Sequence, residues 1–281
     1  MNETSTANPD QIAYWNEQGG RTWVELNDLL DRQIHEVGLR GIEALAPAPG
    51  ERLLDVGCGG GQTSLALASR VGPSGAVTGI DISGPMLQLA RGRAEGSANL
   101  RFLEADAQVH DLGAAAFDGV FSRFGVMFFS DPKAAFANLR RALKRGGRLV
   151  FVCWAPLGEN PWMSTPMRAA AASLPGDGPP PDPNAPGPFA FGDPERVRAI
   201  LQAAGFQDAR FEKLTLPIGG NSLEESMTLA LRIGPLGARL REAPELASKV
   251  TADVRAALER NLRDGRVWMD GAVWIVSARA P

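Results

Sequence analysis

The sequence predicts an α/β fold built on a doubly wound, mostly parallel sheet of seven strands, and three observations carry that prediction. Short apolar runs recur and end in an acid, as in Leu53-Leu54-Asp55, Thr78-Gly79-Ile80-Asp81 and Phe102-Leu103-Glu104-Ala105-Asp106. Segments with apolar residues spaced at three and four separate them, the alternation that covers both faces of a parallel sheet with helices. The first run leads into Gly57-Cys58-Gly59-Gly60-Gly61 and then into the helical pattern Thr63-Ser64-Leu65-Ala66-Leu67-Ala68. A strand, a glycine loop and a helix in that order present bare backbone N–H groups at a helix N-terminus, where a ligand can settle.

The elements follow in order. Residues 1–10 are polar and are expected to fray. Residues 12–16 and 23–45 carry helical spacing, with Leu26, Leu29, Leu30, Ile34, Val37 and Leu45 on the apolar side. Gln18-Gly19-Gly20-Arg21 is expected to interrupt the helix between them, and Pro47-Ala48-Pro49-Gly50 to stop it. The first strand follows at once. After the glycine loop come a helix to Arg70, a strand over 76–81, and a helix over 83–93 with Ser83 as its N-cap and Pro85 in its first turn. A third strand over 100–106 and a fourth over 117–122 precede a helix over 131–144. Gly146-Gly147 should close that helix and release a fifth strand over 148–154.

Proline and glycine are dense from 156 to 192, notably in Gly178-Pro179-Pro180-Pro181, which predicts a long loop with one short helix near 167–173. A helix over 194–204, a strand over 206–216, amphipathic helices over 223–232 and 245–262, and a last strand from 267–269 and 272–277 complete the chain. The two late strands should pair, with the helices between them inserted. The expected organisation is therefore an N-terminal helical cover (1–46), a ligand-binding core (47–155) and a C-terminal part of the sheet (156–281). That last part carries the loop (156–192) and a helical insertion (221–264).

Composition narrows the partners. A net charge of −3 leaves no basic footprint for nucleic acid or an anionic membrane, and no apolar run is long enough to span a bilayer. Two cysteines, Cys58 and Cys153, make no disulfide framework and have no metal-ligand spacing, so a reducing cytoplasm is expected and no metal is. The start, Met1-Asn2-Glu3-Thr4-Ser5-Thr6, has neither the basic residues nor the apolar stretch of a secretory signal.

In a doubly wound sheet the carboxyl ends of the strands line one crevice, so Asp55, Asp81 and Asp106 should face a common ligand. Asp81 follows Gly61 by about 20 residues, the separation at which an acid reaches ribose hydroxyls. A dinucleotide is less suited. Counting from Gly57, the place of the third glycine of Gly-x-Gly-x-x-Gly is taken by Gln62. Asp55, just before the loop, would repel a pyrophosphate but suits an ammonium or sulfonium. The single tyrosine, Tyr14, has no lysine partner of the Tyr-x-x-x-Lys type, so reductase chemistry of that kind lacks its proton donor.

These residues carry a family resemblance. Leu53-Leu54-Asp55-Val56-Gly57-Cys58-Gly59-Gly60-Gly61 resembles motif I of class I S-adenosylmethionine-dependent methyltransferases, Gly79-Ile80-Asp81-Ile82-Ser83 their second motif, and Glu104-Ala105-Asp106-Ala107 their third. Arg145-Gly146-Gly147-Arg148-Leu149 resembles the turn before their fifth strand. The likeness spans about residues 50–155 and is greatest to small-molecule enzymes of the ubiquinone/menaquinone-biosynthesis type. It implies a Rossmann-like sheet, S-adenosylmethionine as donor and S-adenosylhomocysteine as product. Asp55 with the backbone of Gly57 and Gly59 would then hold the aminocarboxypropyl end, on a loop that Gly61 passes to the helix. Asp81 would take the ribose hydroxyls, and Ile82 and Met86 would lie against the adenine. Asp106 would accept from the adenine amino group while the Ala107 N–H donates to the ring. Ser122 and Arg123 would sit beneath the methionine part.

Methyl transfer from a sulfonium needs little acid–base help, and bases are scarce. His110 and Arg123 are the candidates for a catalytic part, whereas His35 reads as a surface or core residue. The acceptor pocket must lie outside the core. Trp15, Trp23, Arg123, Phe124, Phe128, Trp154 and Trp162 are its candidate lining, which points to a small apolar or aromatic acceptor. Two other readings stay open, a donor-binding protein without transferase activity and a nucleoside-cofactor oxidoreductase. A homodimer through the helical insertion is also open.

Overall fold

A computed structural model describes residues 7–175, 182 and 184–281 of the chain. Of the expected frayed start (1–10), residues 1–6 lie outside the described residues, as does the Gly178-Pro179-Pro180-Pro181 run, whereas Pro9 and Asp10 do not fray but open a helix, with Pro9 in its first turn. Three helices open the described chain: α1 (Pro9–Asn16), α2 (Gln18–Glu25) and α3 (Asn27–Leu45). The alternating part follows as β1 (Arg52–Val56), α4 (Gln62–Val71), β2 (Ala76–Asp81), α5 (Gly84–Arg93), β3 (Leu100–Glu104), β4 (Phe117–Arg123), α6 (Pro132–Ala142) and β5 (Leu143–Trp154). Then come α7 (Pro161–Ala170), α8 (Pro194–Ala203), β6 (Gln207–Asn221), α9 (Leu223–Arg232), α10 (Gly234–Glu242), α11 (Ala247–Glu259), β7 (Leu262–Arg263) and β8 (Arg266–Arg279).

The sheet runs β3-β2-β1-β4-β5-β8-β6, seven long strands with the two-residue β7 pairing beside β8. The first five strands are parallel, and β8 runs against both β5 and β6. From β1 the chain winds outward through β2 and β3, then returns to β4 on the other side. The reversal lies between β1 and β4, and the crevice outside their carboxyl ends is where a ligand fits in such a sheet.

The buried runs explain why these segments are strands: Leu53, Leu54, Val120, Phe121, Phe151 and Val152 are fully enclosed between helical layers. Phe136, Phe151 and Phe191 pack ring against ring within 6.1 Å on one face. On the other face α3 lies close because Gly41 has no side chain; a Cβ there would stand 2.7 Å from a Val152 methyl. No helix among the described residues is long and apolar enough to cross a membrane.

Several boundaries differ from expectation, each for a physical reason. Gln18-Gly19-Gly20-Arg21 does not interrupt a helix but opens α2; the break is at Glu17, whose ψ is −131°. The two glycines are needed inside that helix because it folds back on α1. A Cβ on Gly20 would lie 1.9 Å from the Trp15 carbonyl oxygen, and one on Gly19 would lie 2.6 Å from the Tyr14 ring. β5 starts at Leu143, not Arg148, because α6 ends in an extended residue and passes directly into the strand. The third strand ends at Glu104, which leaves Asp106 on the following loop.

The region after Trp154 is more ordered than its composition implies. The helix there begins at Pro161, with Pro161 in its first turn, where a missing N–H costs nothing. β6 runs through Pro217 to Asn221, which an edge strand tolerates. β8 is one strand of 14 residues instead of two pieces, and α10 separates α9 from α11, whose start is Ala247 rather than Glu245.

Candidate functional site

The loop after β1 has the conformation that its glycines permit. Gly57, Gly59 and Gly61 have φ of 66°, 52° and 81°, the left-handed region closed to most side chains. A Cβ on Gly57 would lie 2.6 Å from the Gly125 Cα, so the loops after β1 and β4 meet backbone to backbone. Gly61 caps α4, and a Cβ there would crowd Ala90 at 3.0 Å. The result is a cradle of main chain without side chains. The Met86 methyl closes one side, 3.3 Å from where a Cβ on Gly59 would stand.

Two of the three predicted acids, Asp55 and Asp81, adjoin this cradle, and Asp106 lies on the loop after β3. Asp55 is fully buried, and its Oδ2 accepts from Thr63 Oγ1 at 2.7 Å and Ser64 Oγ at 2.6 Å, both in the first turn of α4. Burial pushes its carboxyl up to about 6, although those two hydroxyls and Arg123 oppose the rise. Asp81 accepts from the Gly59 N–H at 2.8 Å and the Ser83 N–H at 2.9 Å, and burial raises its carboxyl too. Asp106 accepts from the Gln108 N–H at 2.9 Å through one oxygen and is raised by burial. Asp55 Oδ1 and Asp106 Oδ2 are buried without a partner. Buried acceptors left open are costly in a finished core and mark places where a ligand donor fits.

The remaining donor-site candidates lie around the same crevice or support it. Ala107 is buried, with its carbonyl held by Asn138 Nδ2. The Ile82 carbonyl accepts from Asn16 Nδ2 at 2.8 Å. Ser122 is buried at the end of β4, and its Oγ accepts from the Gly125 N–H at 3.2 Å, closing the turn that presses on Gly57.

Asn27, Asp31 and Arg93, which sequence reasoning passed over, complete the surroundings together with Asn16. Asn16 also accepts from the Gly84 N–H, and Ser83 Oγ donates to the Trp15 carbonyl, so the α1–α2 bend is pinned onto the loop after β2. Asp31 on α3 receives Arg123 through one oxygen at 3.0 Å and Arg93 through the other at 2.9 Å. Arg93 also donates to Asn27 and to the Gly60 carbonyl, while Arg123 donates to Gln62. Arg123 therefore serves as a strut between β4, α4 and α3. A signal existed: Asn27 and Asp31 are polar residues four apart beside an otherwise apolar helix stripe.

The predicted aromatics divide into two groups. Trp15 packs edge-on against Trp23 at 5.3 Å within the cover and against Phe128, after β4, at 5.5 Å. Phe124 stacks on Trp154 at 4.2 Å with planes 7° apart, and Trp154 meets Trp162 at 5.0 Å. Phe124 has φ of 66°, a strained conformation for a bulky residue that here directs its ring toward Trp154. The backbone of His110 is tied to Asp106 and Asn138, and no hydrogen bond of its imidazole connects it to the crevice among the described residues. His35 is exposed.

Comparison with known proteins relates the chain to methyltransferases. Residues 54–151 match the family described as methyltransferase domain. The chain is 32% identical over 166 residues to an O-methyltransferase of Penicillium expansum, cnsE, a match covering 58% of this chain and 56% of that protein. It is 37% identical over 117 residues to the aklanonic acid methyltransferase DauC of Streptomyces (41% and 53% covered). With a Staphylococcus aureus demethylmenaquinone methyltransferase it shares 30% over 145 residues (51% and 60%). The chain thus spans little more than half the length of the curated relatives it matches. Among solved structures, a Haemonchus contortus phosphoethanolamine N-methyltransferase 2 in complex with S-adenosyl-L-methionine superposes with a TM-score of 0.61. It is 18% identical, over all of this chain and 61% of that one. The [4+2]-cyclase SpnF superposes with 0.55 at 23% identity, covering 88% and 81%. These likenesses show the class I methyltransferase fold.

Proposed function

We propose that this chain, which carries a methyltransferase domain, transfers the methyl group of S-adenosylmethionine to a small, largely apolar or aromatic molecule. The observation that carries the reading is an unpartnered, buried Asp55 oxygen beneath a side-chain-free glycine cradle. A carboxylate there repels phosphate and favours a cation, while the N-terminus of α4 favours a carboxylate, and an amino acid end supplies both charges. Relatives named for aklanonic acid and demethylmenaquinone support a small-molecule acceptor.

The roles follow from the donor set. Asp55 and the Gly57 and Gly59 backbone hold the aminocarboxypropyl end. Each Asp81 oxygen accepts one backbone N–H and keeps a lone pair for a ribose hydroxyl. Asp106 Oδ2 accepts the adenine amino group beside the Ala107 N–H, and Ile82 and Met86 pack on the ring. Ser122 shapes the floor under the methionine part.

When bound, the donor supplies an electrophilic methyl on a sulfonium that departs as a neutral thioether. The chain has only to align the acceptor and exclude water, and alignment alone is worth roughly 7–11 kcal/mol at best. The pinned α1–α2 bend and the α3 struts provide the exclusion, and no positioned base is required. Cys58 and Cys153, both free and buried, support a reducing cytoplasm as the setting.

The test is transfer of labelled methyl from S-adenosylmethionine to a panel of phenols, amines and quinols. Label in a small product supports the reading. A melting temperature raised by S-adenosylhomocysteine with no label transferred to any acceptor would leave only donor binding. A rise with NAD(H) instead would indicate an oxidoreductase.

A further inference from the structure

Gln108 lies on the loop after β3, two residues beyond Asp106, yet only 6% of it is exposed. A glutamine is seldom buried unless its amide is used, and here both ends of the amide are. Its backbone N–H donates to Asp106 Oδ1 at 2.9 Å. Its side-chain oxygen accepts from the Asp131 N–H at 3.0 Å, and its Nε2 donates to Ser130 Oγ at 3.2 Å. The Ser130 hydroxyl in turn donates to the Ala7 carbonyl at 2.6 Å. One side chain thus joins the loop of Asp106, the loop after β4 and the start of the cover.

Ala7 begins a strap. Beside it Asn8 Nδ2 donates to the Phe128 carbonyl at 3.1 Å, α1 follows, and Trp15 and Asn16 are fastened to residues 82–84 after β2. β2 and β4 are the two neighbours of β1, so a segment tied to the loops after both crosses the carboxyl end of β1, where the glycine cradle lies. The span fits: strands two apart are separated by about 9.5 Å, and the eight residues of α1 make a helix about 12 Å long. Trp15 reaches across to meet Phe128 edge-on at 5.5 Å.

The two ends of the strap differ. The Ala7 end hangs on two side-chain hydrogen bonds, one of them to the exposed Ser130. The Asn16 end has three, and the Ser83 hydroxyl among them is fully buried. Water can replace a bond at an exposed hydroxyl, whereas parting Ser83 from the Trp15 carbonyl would leave a buried group unpaired.

We propose that Gln108 is a positioning residue that fastens the Ala7 end of this strap across the donor cradle, and that this end opens to pass the donor while the Asn16 end serves as hinge. The identity of the passing ligand rests on the transferase reading above; the strap and its hook do not. Gln108 fixes where Ser130 stands, and through Asp106 it places the hook on the side assigned to the adenine, which the opening end uncovers first.

The test follows S-adenosylhomocysteine binding to the full chain by stopped-flow tryptophan fluorescence. The slope of the observed rate against concentration gives the association constant, and the intercept gives the dissociation constant. Ser130→Ala and Gln108→Leu should each raise both rate constants about fivefold, the worth of one neutral hydrogen bond, and leave affinity within about threefold. Because both act on one hook, the double variant should be at most about twofold faster than either. Asn16→Ala should not raise association. If Gln108→Leu does not fold, Gln108→Glu, which keeps the acceptor for the Asp131 N–H and removes the donor to Ser130, takes its place.

A side chain that only supported the bound donor would change dissociation alone. That result, unchanged rates, additive effects in the double variant, or faster association in Asn16→Ala but not in Ser130→Ala overturns the proposal and, with saturable binding to the wild-type chain, leaves the donor reading standing. No saturable binding of S-adenosylhomocysteine to the wild-type chain overturns both.

Discussion

Asp55 is the residue on which charge and fold conflict most directly. Its carboxyl sits at about 6 when folded, against 3.8 as the unperturbed value, because burial penalises the anion. Between those values the folded chain keeps a proton that the unfolded chain has released. Stability without ligand therefore falls as pH rises from about 4 to about 6, by roughly 3 kcal/mol at most. Asp55→Asn should flatten that slope in urea titrations across the range, and an unchanged slope would assign it elsewhere. A cationic donor favours the ionised form, so its binding at pH 5.5 should release a proton, measurable by calorimetry in buffers of different ionisation heat. Asp81 makes the complementary case. Asp81→Ala should lower S-adenosylhomocysteine affinity at least about a hundredfold, because two hydroxyls lose a charged acceptor; retained micromolar binding would count against its ribose role.

At the scale of elements, the glycine loop and the cover are joined by charge. Arg123 and Asp31 are each only 11% exposed at the side chain, and Arg93 shares the same carboxylate. Breaking such a pair leaves a charge uncompensated. Arg123→Met should cost about 2–4 kcal/mol in denaturant unfolding and speed dissociation of S-adenosylhomocysteine, since α3 then loses its tie to β4. A loss under about 0.5 kcal/mol would show the strut to be idle. The local elements themselves were largely legible. Ser83 caps α5 as its position before Pro85 implies, and Leu223–Arg232 is a helix with Ser222 and Glu225 forming a capping box. What misled was glycine: Gly19-Gly20 reads as a break by propensity, yet a tight turn against α1 requires those residues inside a helix.

For the whole molecule, the cover, the core and the helices between β6 and β8 are tied together. Arg32 on α3 reaches Asn221 at 2.9 Å and Glu225 at 3.2 Å, Arg232 pairs with Glu25, and Leu229 packs with Leu26 and Leu30. These ties join the cover to the C-terminal part, and the Asp31–Arg123 pair joins the cover to the core. Unfolding should therefore be one cooperative transition, coincident by fluorescence and far-ultraviolet circular dichroism, and two separated transitions would show the insertion to be an independent unit.

The glycine loop and the acid before it were readable from residues alone because their pattern is local. Asp55, the glycines and the start of α4 lie within about ten residues, and each following acid marks the end or the exit of its own strand. Hydrophobic period and glycine spacing report such features directly. The polar strut on Asp31 left a weaker trace, the pair Asn27 and Asp31 beside an apolar helix stripe, and its partners left none. Arg93 and Arg123 belong to elements far apart in the chain and meet Asp31 only through strand order and the close approach that Gly38 and Gly41 allow. Patterning along a chain records which face of an element is buried; which residues meet across those faces is settled by packing.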